Sequence, residues 1–407
     1  MVIRGADMAA RHPLRIEDLL SPVSTADFLR DYYGRSILHL EGEGDRWESV
    51  FSWPDLNAIL SSHRLSAPQL RLVRAGAAID EASYTEAFGS RQGGTLRRLD
   101  AGRVSAALRS GATLVLHAVD DLAPSLSGIA YQVEHLIRAP VTVNLYATWG
   151  GAEGFNVHWD DHDVFVLQVA GTKRWQVYAP TQAWPSERAA SRPPSPQSSP
   201  VAEVLLDAGH LLYIPHGWWH VANAEESPSL HLTVGVRAPS GIDLLDYVFG
   251  LLTKHEPVRR RIPRFETDGS AEEYVTTVAA LVEKALNVET LQDCLRKLDG
   301  QQYRRLAVSL PYAVEERPGH SLLDDAQLAF LAPTAVIEEL PGRVVLQAGN
   351  NRLTFRPPDV APLLRYISDT SWFTMAGLLA MPEMALSETQ VRAVVGELMK
   401  AGLIGVF

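Results

Sequence analysis

The amino-acid sequence predicts an α+β chain: a core of short strands at its centre, set between helical segments on either side. Three observations lead there. Between about 140 and 240, apolar and polar residues alternate with the period of a strand, as in Val141-Thr-Val-Asn-Leu-Tyr146 and Asp163-Val-Phe-Val-Leu-Gln-Val169. Before residue 64 and after residue 241, apolar residues recur at helical spacing instead. The central strands follow one another without regular intervening helices, which favours an antiparallel barrel or sandwich over a parallel α/β sheet.

Taken in order, residues 14–64 read as helical with short breaks. Ser24 and Thr25 can cap a segment carrying Phe28, Leu29, Tyr32 and Tyr33, and Trp53-Pro54-Asp55 opens a helix with Leu56, Ile59 and Leu60 on one face. Leu70, Leu72 and Val73, then Thr113-Leu-Val-Leu-His117, begin the strands. Asp163–Val169 and Arg174–Tyr178 read as a hairpin turning at Ala-Gly-Thr-Lys. The Ser- and Pro-rich stretch from Ser186 to Pro200 is a loop, and strands resume at Val204–Leu206, Leu211–Ile214 and Leu230–Val236. Leu244, Leu245, Val248, Phe249 and Leu252 then form one helical face, and Tyr274, Val278, Leu281 and Leu286 approximate another. From about 330, Val344–Gln347 and Arg352–Phe355 flank a Gly-Asn-Asn turn. Ser387 with Gln390 forms a capping box before a helix with Val391, Val394, Val395, Leu398 and Met399 inward; Gly402 stops it, and Leu403–Phe407 follows. These boundaries divide the chain into 1–240, 241–329 and 330–407.

Bulk properties narrow the function classes. The formal charge of -11 argues against a protein that coats DNA or an anionic membrane. The single cysteine, Cys294, excludes an internal disulfide and a cysteine-rich zinc site. Met1 to Pro13 lacks the apolar run of a signal peptide, and no stretch approaches the length of apolar sequence that spans a membrane. A cytoplasmic protein is the expectation.

The chemistry concentrates in Gly154-Phe-Asn-Val-His-Trp-Asp-Asp-His-Asp163. On extended backbone, His158 and Asp160 project from one face, so an imidazole and a carboxylate can meet on one ion. A second imidazole would complete a two-His-one-carboxylate triad, whose open positions suit non-haem iron(II) rather than closed zinc ligation. Leu211-Leu-Tyr-Ile-Pro-His-Gly-Trp-Trp-His220 offers His220, with His216 and His162 as rivals. A lone His-x-Asp most often just faces solvent; its combination with the second segment is what gives it weight.

Together with Asn144-Leu-Tyr-Ala-Thr and the continuation to Gly171-Thr-Lys-Arg-Trp175, these segments resemble the JmjC oxygenases, in particular the cupin-like ribosomal oxygenases. The motifs span about 144–236. The resemblance implies a double-stranded β-helix (jelly-roll, cupin) barrel, a helical dimerisation region over 241–329 and a C-terminal winged helix over 330–407. It implies Fe(II) held by His158, Asp160 and His220, and 2-oxoglutarate held by Lys173, with Asn144 and Thr233 hydrogen-bonded to it and Tyr146 lining its pocket. The implied reaction couples decarboxylation of 2-oxoglutarate to hydroxylation of a side chain, arginine or histidine of a ribosomal protein in such relatives, by a homodimer. Read without the resemblance, Lys173 would be a solvated turn residue, and Asn144 and Thr233 ordinary strand residues.

Other readings stay open. The same chemistry could serve another peptide, such as a natural-product precursor; lysine demethylation ranks lower, since no chromatin-reading module accompanies the motifs. A metal-binding cupin without oxygenase activity is opposed by Lys173, Asn144 and Thr233. A transcription factor using the winged helix is opposed by Ser387–Lys400, where Arg392 and Lys400 are offset by Glu388 and Glu397, so direct DNA binding is not expected. His231 is either a pocket residue or a satisfied core histidine, and Asp163 supports the ligands or pairs with a cation.

Overall fold

The computed structural model describes residues 15–89, 94–149, 156–189, 192–225, 228–265, 269–301, 308–310, 312–314, 324–356, 358–370, 372–381 and 385–406. The Met1–Pro13 stretch, Gly154 and Phe155 of the central motif, residues 190–191 of the Ser/Pro-rich loop, and Phe407 lie outside these. The chain forms two compact units, Met1–Arg237 and Ala238–Phe407.

The first unit contains α1 (Ile16–Leu20), α2 (Thr25–Asp27), β1 (Leu38–Leu40), α3 (Trp53–Ser62), β2 (Leu70–Arg74), β3 (Ala77–Ala78), β4 (Thr85–Gly89), β5 (Thr95–Leu99), α4 (Ala101–Arg109), β6 (Thr113–Leu116) and α5 (Pro124–Ile137). It continues with β7 (Val141–Thr148), β8 (Asp163–Ala170), β9 (Lys173–Tyr178), β10 (Ala202–Leu206), β11 (Leu211–Ile214), β12 (Trp219–Ala224) and β13 (Ser229–Val236). An eight-stranded antiparallel sheet runs in the order β1-β11-β8-β13-β7-β6-β2-β3, and a three-stranded sheet runs β10-β9-β12. Val164, Val166, Leu212 and Ile214 of the large sheet pack on Trp175, Val177, Val204 and Leu206 of the small one. The two sheets thus face each other as a jelly-roll. They are not hydrogen-bonded into a closed barrel among the described residues, so the expected barrel is an open one. On its other face, the large sheet packs Leu145, Leu167, Leu230 and Leu232 against Leu19 and Leu20 of α1, Leu56 and Ile59 of α3, and Ile129 and Val133 of α5.

Three sequence expectations change. The 14–64 region is not helical throughout: Leu38–Leu40 is a strand paired with Leu211–Tyr213. Helices α4 and α5 lie between strands where only strand signals were read. The hairpin at Ala170–Lys173 is not one. β8 pairs with β11 and β13, whereas β9 pairs with β10 and β12 in the other sheet. Gly171, at φ +67°, explains the crossing: a Cβ there would lie 2.0 Å from the Pro228 carbonyl oxygen. The turn is thereby seated against the segment entering β13, and the chain passes to the facing sheet.

In the second unit, α6 (Gly241–Leu252), α7 (Glu256–Arg259), α8 (Ser270–Ala285) and α9 (Val288–Gln301) precede β14 (Leu328–Phe330) and the meander β15 (Val336–Leu340), β16 (Arg343–Ala348) and β17 (Asn351–Phe355). Then come α10 (Ala361–Asp369), β18 (Trp372–Phe373), α11 (Met375–Leu379), α12 (Glu388–Lys400) and β19 (Ile404–Val406). β14 lies between β18 and β19. The Ser387/Gln390 capping box forms as the sequence requires, and Val391, Val395, Leu398 and Met399 of α12 are buried in this unit's core.

Candidate metal centre

His220, the second residue of β12, sits opposite Val177 of β9 on one side. On its other side it forms a two-way backbone bridge with His158: His158 N–H donates to His220 O (3.1 Å), and His220 N–H to His158 O (2.8 Å). The bridge brings the two rings to a centroid separation of 4.4 Å. Asp160 Oδ2 lies 3.5 Å from His220 Nε2, and one ligand atom from each of His158, Asp160 and His220 lies within 4.8 Å of the others. The rivals fall elsewhere: His216 Nε2 is hydrogen-bonded to Pro185 O (2.6 Å), and His162 stands against Gly235.

The imidazoles are oriented alike. Nδ1 of His158 donates to Asn156 O (2.8 Å) and Nδ1 of His220 to Trp218 O (3.1 Å), so Nε2 is the lone-pair nitrogen in each ring. Burial, reinforced by His158, lowers the His220 pKa to about 4, which keeps it in the neutral form that metals require. Burial opposes the Asp160 charge, but His220, His162, His158 and His216 outweigh it and hold the carboxyl below its ordinary range. Two imidazoles with one carboxylate fit a divalent transition ion and leave positions for other ligands. Among the described residues Asp163 has no cation partner: it accepts from Tyr213 Oη (2.5 Å) and His216 N–H (3.3 Å), bracing the segment that leads to His220.

Register defines the rest of the interior. Because residues opposite one another share a face, one row runs Asn144–Thr233–Val166 and a second runs Arg71–Val115–Tyr146–His231–Gln168, both lining the space between the sheets. Tyr146 hydrogen-bonds Thr233, and burial, with Asp160 nearby, raises its pKa to about 12. Facing them, Lys173 opens β9 between Leu206 and Ala224. It is only 5% exposed and has no carboxylate partner among the described residues. Burial lowers its pKa to about 7. An ammonium so placed calls for an anion. His231 is buried, stacked on the Tyr146 ring (4.9 Å) and edge-on to Trp175 (5.7 Å), and its Nδ1 has no hydrogen-bond partner among the described residues. Its hydrogen bonding is thus incomplete among the described residues, unlike that of a satisfied core histidine. Sequence reasoning left Arg71 and His117 unassigned; their shared parity with Tyr146 and Asn144 becomes visible only once β6 is paired with β7.

The JmjC domain family matches residues 125–244. Over 242 residues the chain is 27% identical to the bifunctional lysine-specific demethylase and histidyl-hydroxylase NO66 of Drosophila persimilis, covering 59% of this chain and 34% of that protein. It is 30% identical over 221 residues to ribosomal oxygenase 1 of Gallus gallus, covering 53% and 35%. It thus spans about a third of the length of these relatives. A crystal structure of the Escherichia coli ribosomal oxygenase YcfD superposes with a TM-score of 0.62 at 16% identity, over 95% of this chain and 98% of that one. Another structure of that protein holds cobalt and 2-oxoglutarate. With the jelly-roll and its His/Asp/His cluster already in place, residues 125–244 match the JmjC domain family, and the chain is similar to proteins named ribosomal oxygenases.

Proposed function

We propose that this chain is an iron(II)- and 2-oxoglutarate-dependent oxygenase that hydroxylates a protein side chain. One observation carries the reading: a two-His-one-carboxylate cluster shares the interior of the jelly-roll with a buried lysine that has no carboxylate partner among the described residues. His158, Asp160 and His220 would hold the ion. Lys173 would meet the distal carboxylate of 2-oxoglutarate, with Asn144 and Thr233 hydrogen-bonding it and Tyr146 against its chain. Iron(II), when bound, supplies the redox chemistry that takes 2-oxoglutarate, dioxygen and a C–H bond to succinate, carbon dioxide and an alcohol. The chain's own part is to orient the cosubstrate, neutralise its charge and exclude water.

The names of the relatives support a ribosomal protein as substrate and, for some of them, histidine as the hydroxylated residue; arginine is the other candidate, and the cytoplasm is our reading of the place of action. A different peptide is the alternative within the same chemistry. A cupin that binds metal without oxygenase activity is disfavoured, because Lys173 would then stay buried without a counter-anion. We read 330–407 as a winged-helix module, from the helix-strand-helix-helix-strand order of α10 to β19, serving protein contacts. Arg392 is engaged by Asp324 and Glu388, and Lys400 by Glu397, which leaves α12 poorly equipped for phosphates. We read 241–329 as a homodimerisation region. Among the described residues no helix is long and apolar enough to cross a membrane.

The test is to incubate iron-loaded protein with 2-oxoglutarate and a ribosomal-protein digest, scanning peptides for a gain of one oxygen. Succinate should form, and H158A and D160A should abolish it. Succinate formation that survives both substitutions would overturn the assignment; oxidation confined to a non-ribosomal peptide would redirect the substrate alone.

A further inference from the structure

An asparagine amide can turn either its oxygen or its nitrogen toward a ligand, and the two ends have opposite chemistry. Contacts behind Asn144 decide which end is available. Its Oδ1 accepts from the Ala118 backbone N–H at 3.2 Å. His117, the residue following β6, also hydrogen-bonds the Asn144 side chain. The Nε2 of His117 faces Arg71, with Arg71 Nε at 3.1 Å and Nη2 at 2.6 Å. A guanidinium has only donors, so that imidazole nitrogen is the acceptor and the ring proton resides on Nδ1. His117 must then donate to Asn144, which receives at Oδ1. The direction of donation is fixed from one end to the other, from Arg71 to His117 to Asn144.

Sheet register produces this chain of contacts. Leu116 pairs with Leu145, so His117 is the next step beside Asn144, and Arg71 lies opposite Val115, one pleat away on the same face. Arg71 is half-buried and has no carboxylate partner among the described residues, so its donors are not committed to an ion pair.

We propose that Arg71 and His117 are positioning residues that occupy the Asn144 oxygen and turn its NH2 toward the interior, making Asn144 a hydrogen-bond donor to an oxygen of 2-oxoglutarate. This rests on the cosubstrate reading above. Neither residue touches the cosubstrate; each acts through Asn144. Their removal therefore weakens cosubstrate binding while leaving the metal ligands undisturbed.

The test uses the full chain loaded with cobalt(II) and titrated with 2-oxoglutarate by calorimetry, with cobalt affinity measured in parallel. H117F and R71M should each weaken 2-oxoglutarate binding about tenfold, the worth of one well-made hydrogen bond, with cobalt affinity unchanged. H117Q, which offers an oxygen to Arg71 and an N–H to Asn144, should recover most of the loss. The H117F/N144A double variant should bind no more weakly than N144A alone, because the relay has no other outlet. R71M provides the same comparison where H117F does not fold. Unaltered binding in H117F and R71M, or losses that add to that of N144A, would overturn the relay and leave the cosubstrate reading standing. A wild-type protein that binds cobalt but not 2-oxoglutarate would remove both.

Discussion

Lys173 shows how one side chain can make ligand binding depend on pH. Burial without a partner lowers its pKa to about 7, and a bound dicarboxylate raises it again by favouring the charged form. The sign follows: below about pH 7 the lysine is already protonated, and affinity for 2-oxoglutarate is fully present. Above it, binding must take up a proton, and affinity is lost as pH rises, approaching tenfold per unit until the pKa of the bound state is reached. Calorimetry of 2-oxoglutarate binding at several pH values, in buffers of differing ionisation enthalpy, should reveal this uptake, and K173M should remove the slope. A wild-type affinity flat between pH 7 and 9 would contradict it. That His158, Asp160 and His220 come together was readable from sequence because His158 and Asp160 are neighbours and the Pro-His-Gly-Trp-Trp-His segment is distinctive. The burial of Lys173 was not, because local pattern set it in a solvated turn and only the pairing of β9 with β10 and β12 encloses it. Arg71 and His117 were hidden for a related reason: the register of β2 and β6 against β7 is a long-range property that no local period encodes.

Among the elements, the β8–β9 turn does most to assemble the site. It carries the chain from the sheet bearing Asn144, Tyr146 and Thr233 to the one bearing Lys173 and His220. Gly171 permits this by its positive φ and its contact with Pro228. G171A meets both obstacles, backbone strain and a Cβ within 2.0 Å of a carbonyl oxygen, and should destabilise the protein by about 2–4 kcal/mol. Urea denaturation followed by circular dichroism would measure it; a midpoint equal to wild type would mean the turn is not tightly seated. The strands on either side of the turn were legible, but β12, which carries His220, was not read as a strand, and strand partnership was hidden because a sheet switch and a hairpin share the same alternating signature.

For the molecule as a whole, the unresolved burial lies in the second unit. The α6 stripe predicted from sequence is divided: Val248 and Leu252 are buried, while Leu245 and Phe249 remain 55% and 64% exposed. Val275, Leu291 and Leu295 on α8 and α9 are exposed as well. Exposed apolar groups on α6 and on the two helices that contact it favour association. Wild-type protein should behave as a dimer in multi-angle light scattering at micromolar concentration, and L245D/F249D as a monomer with an unchanged far-ultraviolet spectrum. A monomeric wild type would refute the expectation.

The bridge between His158 and His220 has a topological consequence. An ion gripped there fastens together two stretches far apart in the chain, and the entropy of tying off such a loop grows only with the logarithm of its length. Lengthening or rewriting the Ser/Pro-rich passage between them is therefore thermodynamically cheap, whereas a slip of one residue at either fastening turns its imidazole to the wrong side of the strand.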